Sequence, residues 1–222
     1  MATDIFEFWG QISADACIHP ADVETFRRVP NNGFATEAAL PGCFMGPLRT
    51  APIVLLYLSP GLSEEDKPTG RLKEWHVRTR GGTEPLVSKD VHSSAHAWWT
   101  QRTKILSGTV EQRSQNVATL NIGAYHSKTF NDHGLLAALP SSRVTLDWAQ
   151  SVLFPEAEAG KRVVVCMRAA RYWGLESGQE YSGTLFAPKV TRSGHALVAN
   201  QAAIKKAAQD VWKRISAKGN DV

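Results

Sequence analysis

The apolar stretch Ile53-Val54-Leu55-Leu56-Tyr57-Leu58 has no polar position in it. A strand with one wet face alternates; a strand without alternation is buried on both faces, as in a parallel sheet. Asn116 to Ile122 and Arg162 to Met167 read as two more strands, and Ala196-Leu197-Val198-Ala199 as a fourth. Helical spacing fills the intervals. Asp4 to Ile12 places Ile5, Phe8, Trp9 and Ile12 on one face, and His19-Pro20 starts a second short helix. Ser94 to Leu106 follows an N-cap at Ser93 or Ser94, and Pro140-Ser141-Ser142 opens a helix through Phe154. A short helix covers Arg168 to Trp173. The last helix, Gln201 to Ser216, follows Asn200 as cap and buries Ile204, Ala208, Val211 and Ile215. Residues 30–52 and 67–91 are polar and rich in Gly and Pro, which predicts loops.

Helices alternating with strands predict an α/β fold: a three-layer α/β/α sandwich around a mainly parallel four-stranded central sheet. The 222 residues suit a single α/β domain. Residues 1–50 supply N-terminal helices and a loop, 50–217 the core, and 67–92 a long surface loop. Ligands of such sheets bind at the carboxyl ends of the strands. Polar groups stand at all four predicted ends: Ser59-Pro60-Gly61, then Tyr125-His126-Ser127-Lys128, then Arg168, then Asn200.

Composition narrows the class. No apolar run approaches a membrane span, and Met1-Ala2-Thr3-Asp4 lacks the pattern of a signal peptide. Cys17, Cys43 and Cys166 are odd in number and form no CxxC pair, so neither a zinc knuckle nor a disulfide framework is expected. A reducing cytoplasm is the expected location. The net charge of +4 hides an asymmetry: residues 161–222 hold 11 basic and 4 acidic residues, whereas residues 1–160 hold 14 and 17. Lys67 to Lys104 is a second basic stretch, with Trp75, Trp98 and Trp99 among its charges. Brought together, the two stretches form a cationic face for phosphates; apart, they are solvated helix faces.

The candidate chemistry is modest. His126 serves as an acid or base near neutral pH, with Ser127 and Lys128 able to hold a phosphate, or it is a loop histidine bonded to backbone. Glu64, Glu65 and Asp66 offer a base or metal ligand, or a helix cap. His92 and His96 are spaced as a helical metal pair, but a helix start between them argues against one. No metal site or cofactor is expected. Arg168 suits an anion or a structural ion pair, and Asn200 a base edge or a cap.

The strand and turn VLLYLSPGLS resembles the first motif of the uracil-DNA glycosylase superfamily, whose strand ends in an Asn-Pro-Gly turn. Pro60 and Gly61 match and Ser59 replaces the Asn. Ala97-Trp98-Trp99 is similar to the aromatic segment that follows, and Leu197 to Asn200 falls where the second motif should be. The resemblance covers residues 50–215 in order of elements. Tyr125 to Lys128, Leu139-Pro140-Ser141 and Arg168…Trp173 are more similar still to uncharacterised bacterial proteins of the same frame. The resemblance implies a uracil-DNA glycosylase-like fold that binds or hydrolyses a modified nucleotide or base in DNA. His126, Ser59 and Asn200 are then the catalytic candidates. Pro60, Gly61, Tyr125, Ser127, Lys128, Arg168 and Trp99 line the substrate, with Tyr57, Tyr125 or Trp99 stacking on a flipped base. Ser59 cannot replace the water-orienting Asp or Asn as a base, and no His adjoins Asn200. The alternative is therefore a non-catalytic nucleic-acid or protein binding module on the same fold. A pocket too closed for a nucleotide would point instead to a small anionic metabolite.

Overall fold

The computed structural model of the protein describes residues 3–191 and 198–219. Its centre is the strand read from VLLY. Five strands make one mixed sheet: β1 (Phe44–Met45), β2 (Ile53–Tyr57), β3 (Val117–Asn121), β4 (Val163–Cys166) and β5 (Leu185–Phe186), in the order β1-β3-β2-β4-β5. β2 lies parallel to β3, with Ile53 opposite Val117 and Tyr57 opposite Asn121. On its other side it lies parallel to β4, with Ile53 opposite Val163. β5 extends the parallel part and β1 pairs antiparallel at the far edge.

The general α/β class thus holds, but among the described residues the sheet is five-stranded and mixed, not four-stranded. β1 and β5 have two residues each, too few to show any periodicity, and both sit among turn-forming residues. Of the strand expected at 196–199, residues 196 and 197 lie outside the described residues. Val198 and Ala199 open the C-terminal helix instead.

The helices are α1 (Ile5–Gly10), α2 (Val23–Arg28), α3 (Gly70–Thr79), α4 (Ser93–Arg102), α5 (Val110–Asn116), α6 (His133–Ala138), α7 (Pro140–Trp148), α8 (Phe154–Glu158) and α9 (Val198–Gly219). A π-helical turn, Ala149–Leu153, joins α7 to α8. None is long and apolar enough to cross a membrane. α3 falls inside the expected surface loop 67–92 and corrects it. Leu72, Trp75 and Thr79 form a buried stripe at helical spacing beneath a charged exterior, which the flanking glycines obscured.

Strand alternation divides the core in two. Val54, Leu56, Ala118, Leu120, Val164 and Cys166 pack with α1, α7 and α8. Ile53, Leu55, Val117, Val163 and Val165 pack with α3, α4 and α9, through Leu72, Trp75, Trp99, Ile204 and Val211. Helices therefore cover both faces of the sheet.

A polar tie fixes the N-terminal segment to the strand ends. Asp22 is fully buried. Its Oδ2 accepts from the Tyr125 hydroxyl at 2.5 Å and its Oδ1 from the Ser141 N–H at 2.9 Å. The same hydroxyl accepts from the His19 N–H at 3.1 Å. Tyr125→Phe leaves both Asp22 Oδ2 and the His19 amide without a partner, and an unsatisfied buried group costs about 1–3 kcal/mol. A loss of stability in that range, measured by urea unfolding, is the expected outcome.

Candidate functional site

The site grows from the parallel pairing of β2 and β3, which continues past the strands. Gly123 N–H donates to Leu58 O at 2.8 Å, and Gly61 bridges Ser127. The Ser59-Pro60-Gly61 turn is thereby laid against Tyr125-His126-Ser127. His126 Nδ1 ends 2.7 Å from Gly61 O and 3.5 Å from Asp66 Oδ2.

Asp66 closes a short 3₁₀ turn, Glu64–Asp66, in a capping box: Ser63 N–H donates to Asp66 Oδ2 at 2.5 Å. Its other oxygen lies 2.8 Å from His92 Nε2. His92 is the N-cap of α4, where its Nδ1 accepts from the Ala95 N–H at 3.2 Å. This corrects the expected cap at Ser93 or Ser94. The carboxylate of Asp66 therefore sits between two histidines, and all three side chains are nearly buried.

The partners fix the tautomers. A carbonyl oxygen can only accept, so His126 Nδ1 carries a proton and donates to Gly61 O. In the neutral ring Nε2 is then the free acceptor. At His92 an amide N–H points at Nδ1, so Nδ1 is the acceptor and Nε2–H donates to Asp66. Burial on its own pushes the Asp66 carboxyl up; the hydrogen bonds from His126, then His92, and the Ser63 amide outweigh it and hold Asp66 far below the usual range.

His126 Nε2 faces Gly42. A Cβ at Gly42 would stand 3.2 Å from that nitrogen and 3.7 Å from Pro60 Cγ. Glycine avoids the tight contact that any Cβ would make with that nitrogen. Gly42 is held there by its N–H to Ala124 O at 2.7 Å and by Asn121 Nδ2, which donates to Gly42 O at 2.8 Å. On the far side of this segment His76 borders a cavity of about 30 Å³, with Trp9, Cys43, Thr79 and Arg80. It has room for a water molecule and none for a nucleoside. Burial, followed by the charges of His126, Arg80 and His92, lowers His76 to about 3, with Asp66 opposing.

The remaining expected residues divide. Ser59, Pro60, Gly61 and Ser127 all belong to this strand-end edge. Ser59 is half-buried, and Ser127 N–H donates to Pro60 O at 3.4 Å. Lys128 is exposed, and its charge helps to lower Glu64, whose main partner is Lys67. Arg168 stands exposed beyond β4, on the other side of β2 from His126. The side chain of Asn200 lies outside the described residues; its backbone is inside α9, so it is not the helix cap.

Two aromatic expectations are corrected. Tyr125 is buried against Phe26 and Phe34, with its hydroxyl on Asp22, and presents no face to a base. Trp99 is fully buried between α4 and the sheet. Its neighbour Trp98 is the one at the surface, edge-on to Tyr57 with ring centroids 5.0 Å apart. The adjacent tryptophans differ because one helical step of 100° separates a core-facing position from a solvent-facing one.

Asp66 and His92 join His126 through contacts that the spacing along the chain does not indicate. Ser63-x-x-Asp66 is legible as a cap, but nothing in the spacing indicates that the cap would also meet two histidines from elsewhere. Among the described residues no group of three or more His, Cys, Asp or Glu side chains is arranged to hold a metal. The basic stretches do share a layer, since α3, α4 and α9 cover the same sheet face. Part of that charge is engaged: Lys73 pairs with Asp15, Arg78 with Glu84, and Arg80 donates to Ser13 O. Lys104, Lys205, Lys206 and Arg214 are exposed there.

Fold and site together define an α/β protein with a histidine–carboxylate–histidine cluster at the carboxyl edge of its sheet. No known protein family, curated protein or solved structure matches the chain.

The lowered His76 gives stability a pH dependence. The unfolded chain takes up a proton near the ordinary value of 6.5, and the folded protein only near 3. Between these values the unfolded state binds more protons, so stability falls as pH drops from about 7 towards 3. Asp66, also lowered, adds a further loss below its ordinary value of 3.8. His76→Asn should flatten the upper part of this profile, between pH 6.5 and 4.5, in thermal unfolding followed by circular dichroism.

Proposed function

We propose that the protein acts on DNA as a hydrolase of N-glycosidic bonds, releasing a modified base, on a frame resembling that of the uracil-DNA glycosylase superfamily. The observation that carries the reading is His126: a buried imidazole with Nδ1 held by Gly61 O and Asp66, and Nε2 facing Gly42 without a hydrogen-bond partner among the described residues. That is the arrangement a general base requires, with one nitrogen oriented and the other free. The Pro60-Gly61 turn at the end of β2 supports the glycosylase frame. The basic layer of α3, α4 and α9 supports a phosphate-bearing partner.

In this reaction His126 Nε2 takes a proton from water as the water oxygen bonds to C1′ of the sugar. The C1′–N bond breaks and its electron pair leaves with the base. The imidazolium, stabilised by Asp66, gives its proton to solvent, and the departing base nitrogen takes a proton from solvent. Atoms and charge balance as a simple hydrolysis. Ser59 orients by hydrogen bonding only, since its hydroxyl is not a base at neutral pH. Arg168, Lys128 and the α9 lysines hold phosphates.

A second reading, a non-catalytic nucleic-acid binding module, is favoured by Ser59 standing where a water-orienting Asp or Asn is expected, and by the burial of Trp99 and Tyr125. Abasic-site formation on uracil, hypoxanthine and xanthine DNA separates the two. Under the first reading the native protein releases at least one of these bases, and His126→Gln slows release by about 10²–10⁴-fold. Salt-dependent DNA binding without release of any base establishes the second reading and overturns the first. Absent or salt-insensitive binding, again without release, overturns both.

A further inference from the structure

His92 makes no hydrogen bond to His126, yet both of its ring nitrogens are committed. Nδ1 caps α4 through the Ala95 N–H, and Nε2–H donates to Asp66 Oδ1. The second oxygen of Asp66 takes the Ser63 amide and faces His126 Nδ1. The carboxylate is thus shared, and what one histidine draws from it the other does not receive.

We infer that His92 is a positioning residue for His126, acting through Asp66: its N–H holds the carboxylate in place and withdraws charge from it, and so sets how strongly His126 Nε2 holds a proton. This deepens the reading of His126 as the acid–base group and rests on it. A hydrogen bond to one oxygen of a carboxylate reduces the negative charge on the other. Asp66 consequently pulls less on an imidazolium at His126 than an unshared carboxylate would. The second effect is geometric. A carboxylate anchored at Oδ1 cannot rotate away, and this keeps the proton of His126 on Nδ1 and the lone pair on Nε2.

The other groups facing the cluster are accounted for. Glu65 Oε2 lies 3.2 Å from His92 Nδ1, but that carboxylate takes its hydrogen bonds from the Ser93 hydroxyl and the Ser94 N–H. The Ser94 hydroxyl is 3.3 Å from His92 Nδ1. His76 on α3 is held neutral above about pH 3, Arg80 at the C-cap of α3 is the neighbouring cation, and Glu64 is paired with Lys67. None of these reaches Asp66 Oδ1, so the His92 bond can be removed alone.

The chemistry of the two nitrogens allows the cap and the relay to be separated. Asn at position 92 places an acceptor near the old Nδ1 and is itself a good N-cap, but it is too short to reach Asp66. Gln carries an N–H donor to about the reach of Nε2. The measurement is the pKa and tautomer of His126, read from ¹⁵N and Hε1 chemical shifts as a function of pH, in the native protein and in both variants. In His92→Asn the His126 pKa should rise by about one unit, the tenfold change expected when one charge-assisted bond to its counter-ion is removed. The acid limb of any pH–rate profile should move with it, while the α4 amide signals stay in place. His92→Gln should restore values near the native ones.

If His126 titrates in His92→Asn as it does in the native protein, with the same tautomer, His92 is a helix cap only and the inference is overturned. If α4 unfolds in His92→Asn, His92→Ser decides, since serine keeps an N-cap oxygen and likewise cannot reach Asp66: a raised His126 pKa there supports the relay, and native His126 behaviour overturns it. A His126 shift in the predicted direction, in a protein that releases no base from DNA, supports the relay and rejects the proposed reaction, so the two ideas fail separately.

Discussion

Burial of β2 on both faces is the constraint from which the architecture follows. Ile53, Val54, Leu55 and Leu56 are fully inaccessible and Tyr57 nearly so. A strand in that position must be hydrogen-bonded on both edges, since an unpaired buried amide or carbonyl is costly. It must also be covered above and below. β3 and β4 meet the first need as parallel neighbours, and parallel neighbours require crossovers that place helices on the faces. The helices then meet the second. Substituting Ala for Leu55 would open a cavity in the layer between the sheet and α3, α4 and α9, at a cost of about 2–5 kcal/mol.

The same constraint builds the site. Parallel pairing puts the carboxyl ends of β2 and β3 side by side, so the turn after one strand runs along the segment after the other. His126 is delivered to Gly61 by register, without any contact chosen for it. Asp66 then does two jobs with one side chain: it closes the capping box at Ser63 and provides the counter-charge between His126 and His92. A buried carboxylate needs several donors, and the three it finds come from three separate parts of the chain. Asp22 does the same elsewhere, joining Tyr125 and Ser141. Two buried carboxylates thus fix the geometry that the hydrophobic layers leave loose.

The legible parts of the chain are those whose signal is local. The apolar runs of β2, β3 and β4 mark their ends within a residue or so, because apolar runs bounded by turns need no partner to be recognised. The start of α7 at Pro140 was equally plain. α3 was hidden by Gly70, Gly81 and Gly82, although Leu72 and Trp75 mark its inner face. β1 and β5 carry no pattern of their own and exist only because the edges of β3 and β4 accept them. Trp98 and Trp99 were indistinguishable as neighbours until the phase of α4 was fixed by its packing.

The sequence by itself determined the α/β class, the central buried strand and the placing of polar groups at strand ends, since burial on two faces and strand-end turns are written in consecutive residues. It also singled out His126, from its place after a strand. Only the tertiary structure decided that Asp66 and His92 belong with it, that Tyr125 serves the core and that the sheet has five strands. Those outcomes depend on contacts between residues 26 to 119 positions apart. Such contacts are set by which buried polar groups find partners once the layers close, and no spacing along the chain encodes that choice.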